Sequence, residues 1–261
     1  MNLHTRSPGF RAMSPMRNRR PGTTPVSKSQ KGMTLYVVIV LVLLSMLLAL
    51  WAARSALFGE VVVGNDADYR RTFEAAQAML QDAELDIRGA QPSGSSCVPD
   101  PAKGDVCRRS TSVFFDIETK DLEKTLSDIE TQKPIAKCYK GICQKRAGPQ
   151  DFWNDATALS AMTAQDVGAF YGQFTGADAA TTANPILSSS PKIRAWYWVE
   201  VLPYVDPNVS LLANMPPGSN VERLAPSRKK PWVYRITALA QGNKPGTMVV
   251  LQSTLSLQAV E

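Results

Sequence analysis

Histidine is almost missing from this chain of 261 residues: the one copy is His4. Everything from residue 33 onward therefore lacks the commonest general base and the commonest metal ligand. Neither a Ser-His-Asp triad nor a histidine-containing zinc site can be assembled there. A carboxylate pair such as Asp151 and Asp155 could imitate an acid/base couple, but solvated surface carboxylates are far commoner. The reading is of a protein that is not an enzyme and needs no metal or cofactor. Acidic residues are missing from residues 1–32, which hold seven of the 29 Lys and Arg and none of the 23 Asp and Glu. The remainder is close to neutral, so the net charge of +6 is a property of the leader and gives no reason to expect a nucleic-acid partner.

Charge, His, Gly and Pro are all absent from Met33 to Ala53, MTLYVVIVLVLLSMLLALWAA. As a helix this run spans ~32 Å, enough to cross the ~30 Å hydrocarbon core of a bilayer. Ser45, near its middle, can bond back to the backbone of its own helix. A helix apolar all the way round is expected in lipid rather than on a soluble core. Arg6, Arg11, Arg17, Arg19, Arg20, Lys28 and Lys31 precede the run. By the positive-inside tendency, the N-terminus is cytoplasmic and residues from about 55 onward lie outside. With Pro8, Pro15, Pro21 and Pro25 among polar residues, the leader is expected to be disordered. It is not a cleaved secretory or twin-arginine signal, because the apolar run is too long and ends without a small-residue cleavage site.

Cysteine is scarce too: Cys97, Cys107, Cys138 and Cys143. All four fall in the expected oxidising compartment, where disulfides persist. Three pairings are open. Local pairing, Cys97 with Cys107 and Cys138 with Cys143, is favoured because each pair brackets a Gly- or Pro-containing loop. The rival is a four-thiolate zinc site, whose tight knuckle spacing these cysteines do not match.

The residues fall into four stretches: a basic leader 1–32, a membrane half-helix 33–54, an amphipathic half-helix 55–88 and an α+β domain 89–261. Tyr69, Phe73, Ala76, Leu80, Ala83 and Ile87 form an apolar stripe with helical spacing, and Asp68, Glu74, Gln81 and Asp82 occupy other positions. Gly59 and Gly64 predict a flexible or unwound joint near 59–66. Residues 89–109 read as loop, STSVFFDI (110–117) as an edge strand, and Lys120–Glu130 as a helix. AKCYKGICQ reads as a hairpin, Phe152–Gln165 as a helix with Trp153, Leu159 and Met162 inward, and the stretch to Ser190 as loop. Ile193–Leu202, Trp232–Gln241 and Thr247–Gln258 alternate and are rich in β-formers, with hairpin chemistry at Gly242-Asn243-Lys244-Pro245-Gly246. They predict an antiparallel sheet of at least three strands, one face covering the apolar stripe. The Arg228-Lys229-Lys230 cluster between the first two reads as a solvated loop.

A basic leader ending in Lys31-Gly32, an apolar helix from Met33, an amphipathic continuation and a C-terminal sheet resemble the type IV pilins. KGMTL resembles the family's prepilin peptidase site. The resemblance implies cleavage after Gly32 and methylation of the new N-terminus, Met33, where pilins usually begin with phenylalanine. FEAAQAMLQDAE (73–84), the CYKGIC–W region (138–153) and YRITALAQG–VVLQSTL (234–255) are similar to the PilX minor pilins within that group. Major pilins carry glutamate at the fifth mature position, which here is Val37. In the family that carboxylate pairs with a neighbour's terminal amine inside the fibre, where an unpaired charge is costly. The resemblance thus implies a structural role at the pilus tip, priming assembly, and an inner-membrane location before assembly. The partners implied are prepilin peptidase, other minor pilins, the major pilin and a tip adhesin. The alternatives are an unprocessed single-pass membrane protein with a periplasmic binding domain, and a K-type pseudopilin of type II secretion.

Overall fold

The computed structural model describes residues 33–109, 115, 119–204 and 232–257. The leader with Gly32, the stretch 110–117 apart from Phe115, and the Arg228-Lys229-Lys230 loop lie outside them. By internal packing the chain divides at residues 57 and 58. The first unit, within the described residues, is the start of helix α1 (Met33–Arg88), and nearly all of its side chains are exposed. Ser45 Oγ donates to the carbonyls of Leu41 and Val42 at 2.8 and 3.0 Å, so the hydroxyl is satisfied within the helix.

Among its described residues the second unit contains the rest of α1, helices α2 (Thr119–Gln132) and α3 (Ala156–Met162), and a five-stranded sheet. The strands are β1 (Cys138–Tyr139), β2 (Ile142–Cys143), β3 (Ala195–Pro203), β4 (Trp232–Gln241) and β5 (Met248–Ser256), and they lie side by side in chain order. Neighbours are antiparallel except β2 and β3, which run parallel. The three long strands start or stop within two residues of the alternation in the sequence. The cysteine-bracketed hairpin extends the same sheet.

α1 packs on one face through Ala75, Ala76, Met79, Ala83 and Ile87, against Tyr197, Val199, Tyr234, Ile236, Ala238 and Ala240. Alanines on both sides let the helix approach the sheet closely, while Met79 and the two tyrosines fill the volume between. On the other face Trp196, Trp198 and Leu239 pack with Phe152, Met162 and Val167. Trp198 meets Phe152 edge-on at 5.0 Å and donates to the Met162 carbonyl at 3.1 Å. β3 is therefore covered on both faces, which is why seven consecutive residues of it, Ala195–Val201, are buried.

Three local expectations are corrected. α1 is unbroken through Gly59 and Gly64. Two glycines cost about 2 kcal/mol of helix propensity, and docking of the β4–β5 turn onto the helix at residues 65–68 offsets this. Phe152–Gln165 is a 3-10 turn (Phe152–Asn154) and then the short α3, divided where Asp155 takes an extended conformation and caps the Ala158 N–H. Phe152 is buried there, and Trp153 only partly. Tyr69, placed on the inward stripe, is 53% exposed.

Lys140 and Gly141 form the two-residue turn of the β1–β2 hairpin, with φ +48° and +81°. Positive φ at both positions matches the twist of a hairpin. A Cβ on Gly141 would sit 2.7 Å from Ala169 Cβ. Gly141→Ala combines that overlap with a left-handed backbone, and should destabilise the domain by about 3 kcal/mol in thermal unfolding of the full chain in detergent. A melting temperature within a degree of the parent would contradict this packing.

Candidate interaction site

Where α1 enters the sheet domain, its buried face carries three carboxylates. Asp68, Asp82 and Asp86 are 4, 2 and 8% exposed, and they share that face with Thr72, Ala75 and Met79. Asp68 and Asp82, assigned to the outward side by hydropathy, are thus inward. The physical reason is that each receives donors from a segment distant in sequence.

Asp68 accepts the backbone N–H groups of Asn243 and Lys244 at 3.0 and 3.1 Å, so it holds the β4–β5 turn. Gly242 permits this approach, since a Cβ there would lie 2.4 Å from Asp68 Oδ2. Lys244 Nζ adds a bond of 2.9 Å to Asn65 Oδ1. Burial raises the Asp68 pKa, but the two N–H groups, the Thr247 hydroxyl and the Arg71 charge outweigh it, and its carboxyl lies below the ordinary value.

Asp82 accepts the Gly172 N–H at 2.8 Å and the Thr175 hydroxyl. Here burial dominates. With Asp86 adding repulsion and the two donors opposing, the Asp82 pKa is raised to about 6.

Asp86 sits at the centre of a buried polar cluster. Arg108 grips it through Nε at 2.8 Å and Nη2 at 2.5 Å, and the Tyr197 hydroxyl donates to Oδ2 at 2.7 Å. Arg108 also donates to the Lys140 carbonyl at 3.2 Å, and its guanidinium lies over the rings of Phe174 and Phe115 at 3.9 and 4.6 Å. Burial, reinforced by the Asp86 and Asp82 charges, drives the Tyr197 pKa well up, so the hydroxyl remains a donor. Arg108 comes from the 89–109 loop, where Cys107 and Arg108 both have left-handed backbones, φ 59° and 52°. Such conformations cost of order 1–3 kcal/mol each for non-glycine residues and persist where surroundings over-determine them. The surroundings here are the Cys97–Cys107 disulfide and the Cys107 N–H bond to the Phe174 carbonyl at 2.7 Å. The second disulfide, Cys138–Cys143, closes the β1–β2 hairpin.

The three buried carboxylates of α1 each tie a segment distant in sequence to the helix. Asp151 accepts from Asn154 Nδ2, which lowers its pKa, and Asp155 caps α3; the two serve neighbouring turns. Among the described residues, no three His, Cys, Asp or Glu converge as metal ligands. Met33 and Val37 lie on the first turns of α1, 75 and 51% exposed. Leu57, Phe58, Val61, Val62 and Val63 continue the exposed apolar surface of the helix beyond the 33–53 run. Sequence reasoning missed Arg108 and Asp86. The signal available was weak: an arginine beside a cysteine, and an aspartate four residues after another.

A family model described as type IV pilus assembly protein PilX C-term matches residues 139–257, a range that holds four of the five strands whole. No curated protein and no solved structure matches the chain. The apolar helix ahead of this domain fits a single-pass membrane anchor. Residues 139–257 thus carry the C-terminal domain of the PilX type IV pilus assembly proteins, behind an apolar helix long enough for a membrane anchor.

Proposed function

We propose that the chain is a PilX-type minor pilin that acts in the tip complex that primes type IV pilus assembly. Prepilin peptidase cuts after Gly32, Met33 becomes the methylated N-terminus, and the sheet domain faces the periplasm while α1 awaits assembly in the inner membrane. Other minor pilins and the major pilin meet it along α1, and an adhesin meets the exposed domain. The observation that carries this reading is Val37 in an apolar helix without a carboxylate from Met33 to Trp51 and beyond to Arg54. A subunit lacking the carboxylate cannot pair with a neighbour's terminal amine inside the fibre, so it suits the first place rather than repeated addition.

Gly32→Leu should block processing. In the native host the expected result is a precursor that retains residues 1–32, detected by mass spectrometry, with pili lost from the cell surface. Normal processing and piliation in that variant would overturn the proposal. So would a parent protein whose mature N-terminus is residue 1, which would identify an unprocessed membrane protein.

A further inference from the structure

On the face of the sheet away from α1, the Cys138–Cys143 disulfide, Phe152, Met162 and Trp198 floor a cleft of about 180 Å³. All of these side chains are buried, and Trp198 Nε1 already donates to the Met162 carbonyl, so the floor is apolar. An apolar cavity of about 150 Å³ holds benzene, so this cleft takes a single ring and little more. Sites for drug-sized molecules and cofactors run to about 300–1,000 Å³. The rings of Phe152 and Trp198 and the sulfurs of Met162 and the disulfide are surfaces on which an aromatic ring packs favourably. The rim is apolar too: Ile135 is 87% exposed, and Ala147 is exposed. A small molecule that filled the floor would leave both in water, whereas a polypeptide carrying the ring would cover them.

Charge at the mouth is unbalanced. Lys137 pairs with Glu130 at 2.9 Å, and Arg235 pairs with Glu200 at 2.6 Å. Arg146 has no carboxylate on its guanidinium among the described residues. It is nonetheless held in place. Its backbone N–H donates to Glu200 Oε1 at 2.8 Å, its Nε donates to the Pro149 carbonyl at 3.0 Å, and its carbonyl accepts from Gln150 Nε2 at 3.1 Å. The guanidinium carbon lies 5.3 Å from the centre of the Phe152 ring, beside the floor of the cleft. Both Nη groups are without a partner among the described residues. A planar fork of donors is the geometry that a carboxylate matches. Because the fork is ordered in advance, pairing costs it little rotamer entropy.

We infer that this cleft receives an aromatic side chain of another protein chain, with the carboxylate of an adjacent residue on the Arg146 guanidinium. Volume selects one ring, the exposed rim selects a polypeptide, and the unpaired cation selects an acidic neighbour. A second copy of this chain matches poorly in charge. Outside the 33–53 run, the exposed aromatic side chains among the described residues are Phe58 and Tyr69, both on α1. Arg54 lies one turn before Phe58 on the same side of the helix, and Glu60, two residues after it, faces away. Tyr69 is followed by Arg70 and Arg71, while Asp66 pairs with Arg70 and Asp68 is buried under the β4–β5 turn. Either aromatic would bring arginine to Arg146. The inference is independent of the tip reading, because it concerns what the sheet domain binds and not where in the fibre the subunit stands.

Methyl NMR of the full chain in detergent micelles, labelled at the methionine methyls, tests it with the peptide acetyl-Ser-Gly-Phe-Asp-Gly-amide. The ring should shift the Met162 methyl, a signal assigned by its loss in Met162→Leu. Replacing the peptide's phenylalanine by alanine should weaken binding by on the order of 30-fold, and its aspartate by asparagine by about 5-fold. Arg146→Gln should abolish the preference for aspartate and leave the asparagine peptide's affinity unchanged, a coupling that a merely structural arginine would not show. Ile135→Ser, at the exposed rim, should weaken the peptide but not phenylpropionate, which carries the ring and the carboxylate alone. A Met162 methyl unmoved at millimolar peptide, or equal affinity for the aspartate and asparagine peptides, would overturn the inference. Phenylpropionate binding as tightly as the peptide would overturn it in favour of a free aromatic acid. A Met162 shift that grows with protein concentration alone would overturn it in favour of a second copy. The unmodified chain decides these outcomes even if Arg146→Gln fails to fold, and the mass of the mature N-terminus from the native host reports separately on processing.

Discussion

Asp86→Ala is expected to destabilise the sheet domain by about 3–5 kcal/mol, the cost of breaking a buried ion pair by removing one partner. The substitution leaves Arg108 charged, almost wholly buried and without its carboxylate, and deprives the Tyr197 hydroxyl of its acceptor. Two phenylalanine rings stack on the guanidinium, so water cannot readily replace Asp86. In a domain of this size the loss should lower the melting temperature by on the order of 10 °C. Thermal unfolding of the full chain in detergent, followed by tryptophan fluorescence, reads the effect. The double variant Asp86→Ala/Arg108→Leu should recover part of the loss, because it removes the orphaned charge as well. A single variant within 1 kcal/mol of the parent, or a double variant no better than the single, would show that the cluster does not hold the helix.

Asp82 yields the second large effect, and its sign is opposite to that of most carboxylates. Its pKa is raised to about 6 in the folded domain from an ordinary value of 3.8. Between those two pH values the folded state binds more protons than the unfolded state, so stability falls as pH rises through the window. Integrated over it, the charge costs about 3 kcal/mol above pH 6. Asn at position 82 can still accept the Gly172 N–H and can donate to the Thr175 hydroxyl. Asp82→Asn should therefore be more stable than the parent at pH 7.5, with the advantage shrinking toward pH 4. The difference between the two proteins isolates Asp82 from Asp68, whose lowered pKa acts in the opposite sense at lower pH. A constant difference from pH 4 to 7.5 would contradict the raised pKa.

The helix and strands were legible because their signals are local. β3, β4 and β5 alternate over nine or ten residues, and α1 ends where Gly89 takes φ 61°. The inward face of α1 was legible only by halves. Ala76, Ala83 and Ile87 were placed correctly; Asp68, Asp82 and Tyr69 were placed on the wrong side. Hydropathy assigns an aspartate outward because burying an unpaired charge is costly, and it has no information about partners. Those partners are remote: Arg108 is 22 residues from Asp86, Thr175 is 93 from Asp82, and Asn243 is 175 from Asp68. Phe152 replaced Trp153 as the buried ring for a related reason, since a 3-10 turn rotates its side chains differently from the helix that the spacing suggested.

The apolar run of α1, and with it the fit to a membrane anchor, is settled by composition alone: a helix satisfies its own backbone, so twenty-odd apolar residues suffice without any partner. The rotation and register of α1 on the sheet were decided only by the tertiary structure. There, loops far along the chain deliver the N–H, hydroxyl and guanidinium donors that make three buried carboxylates tolerable.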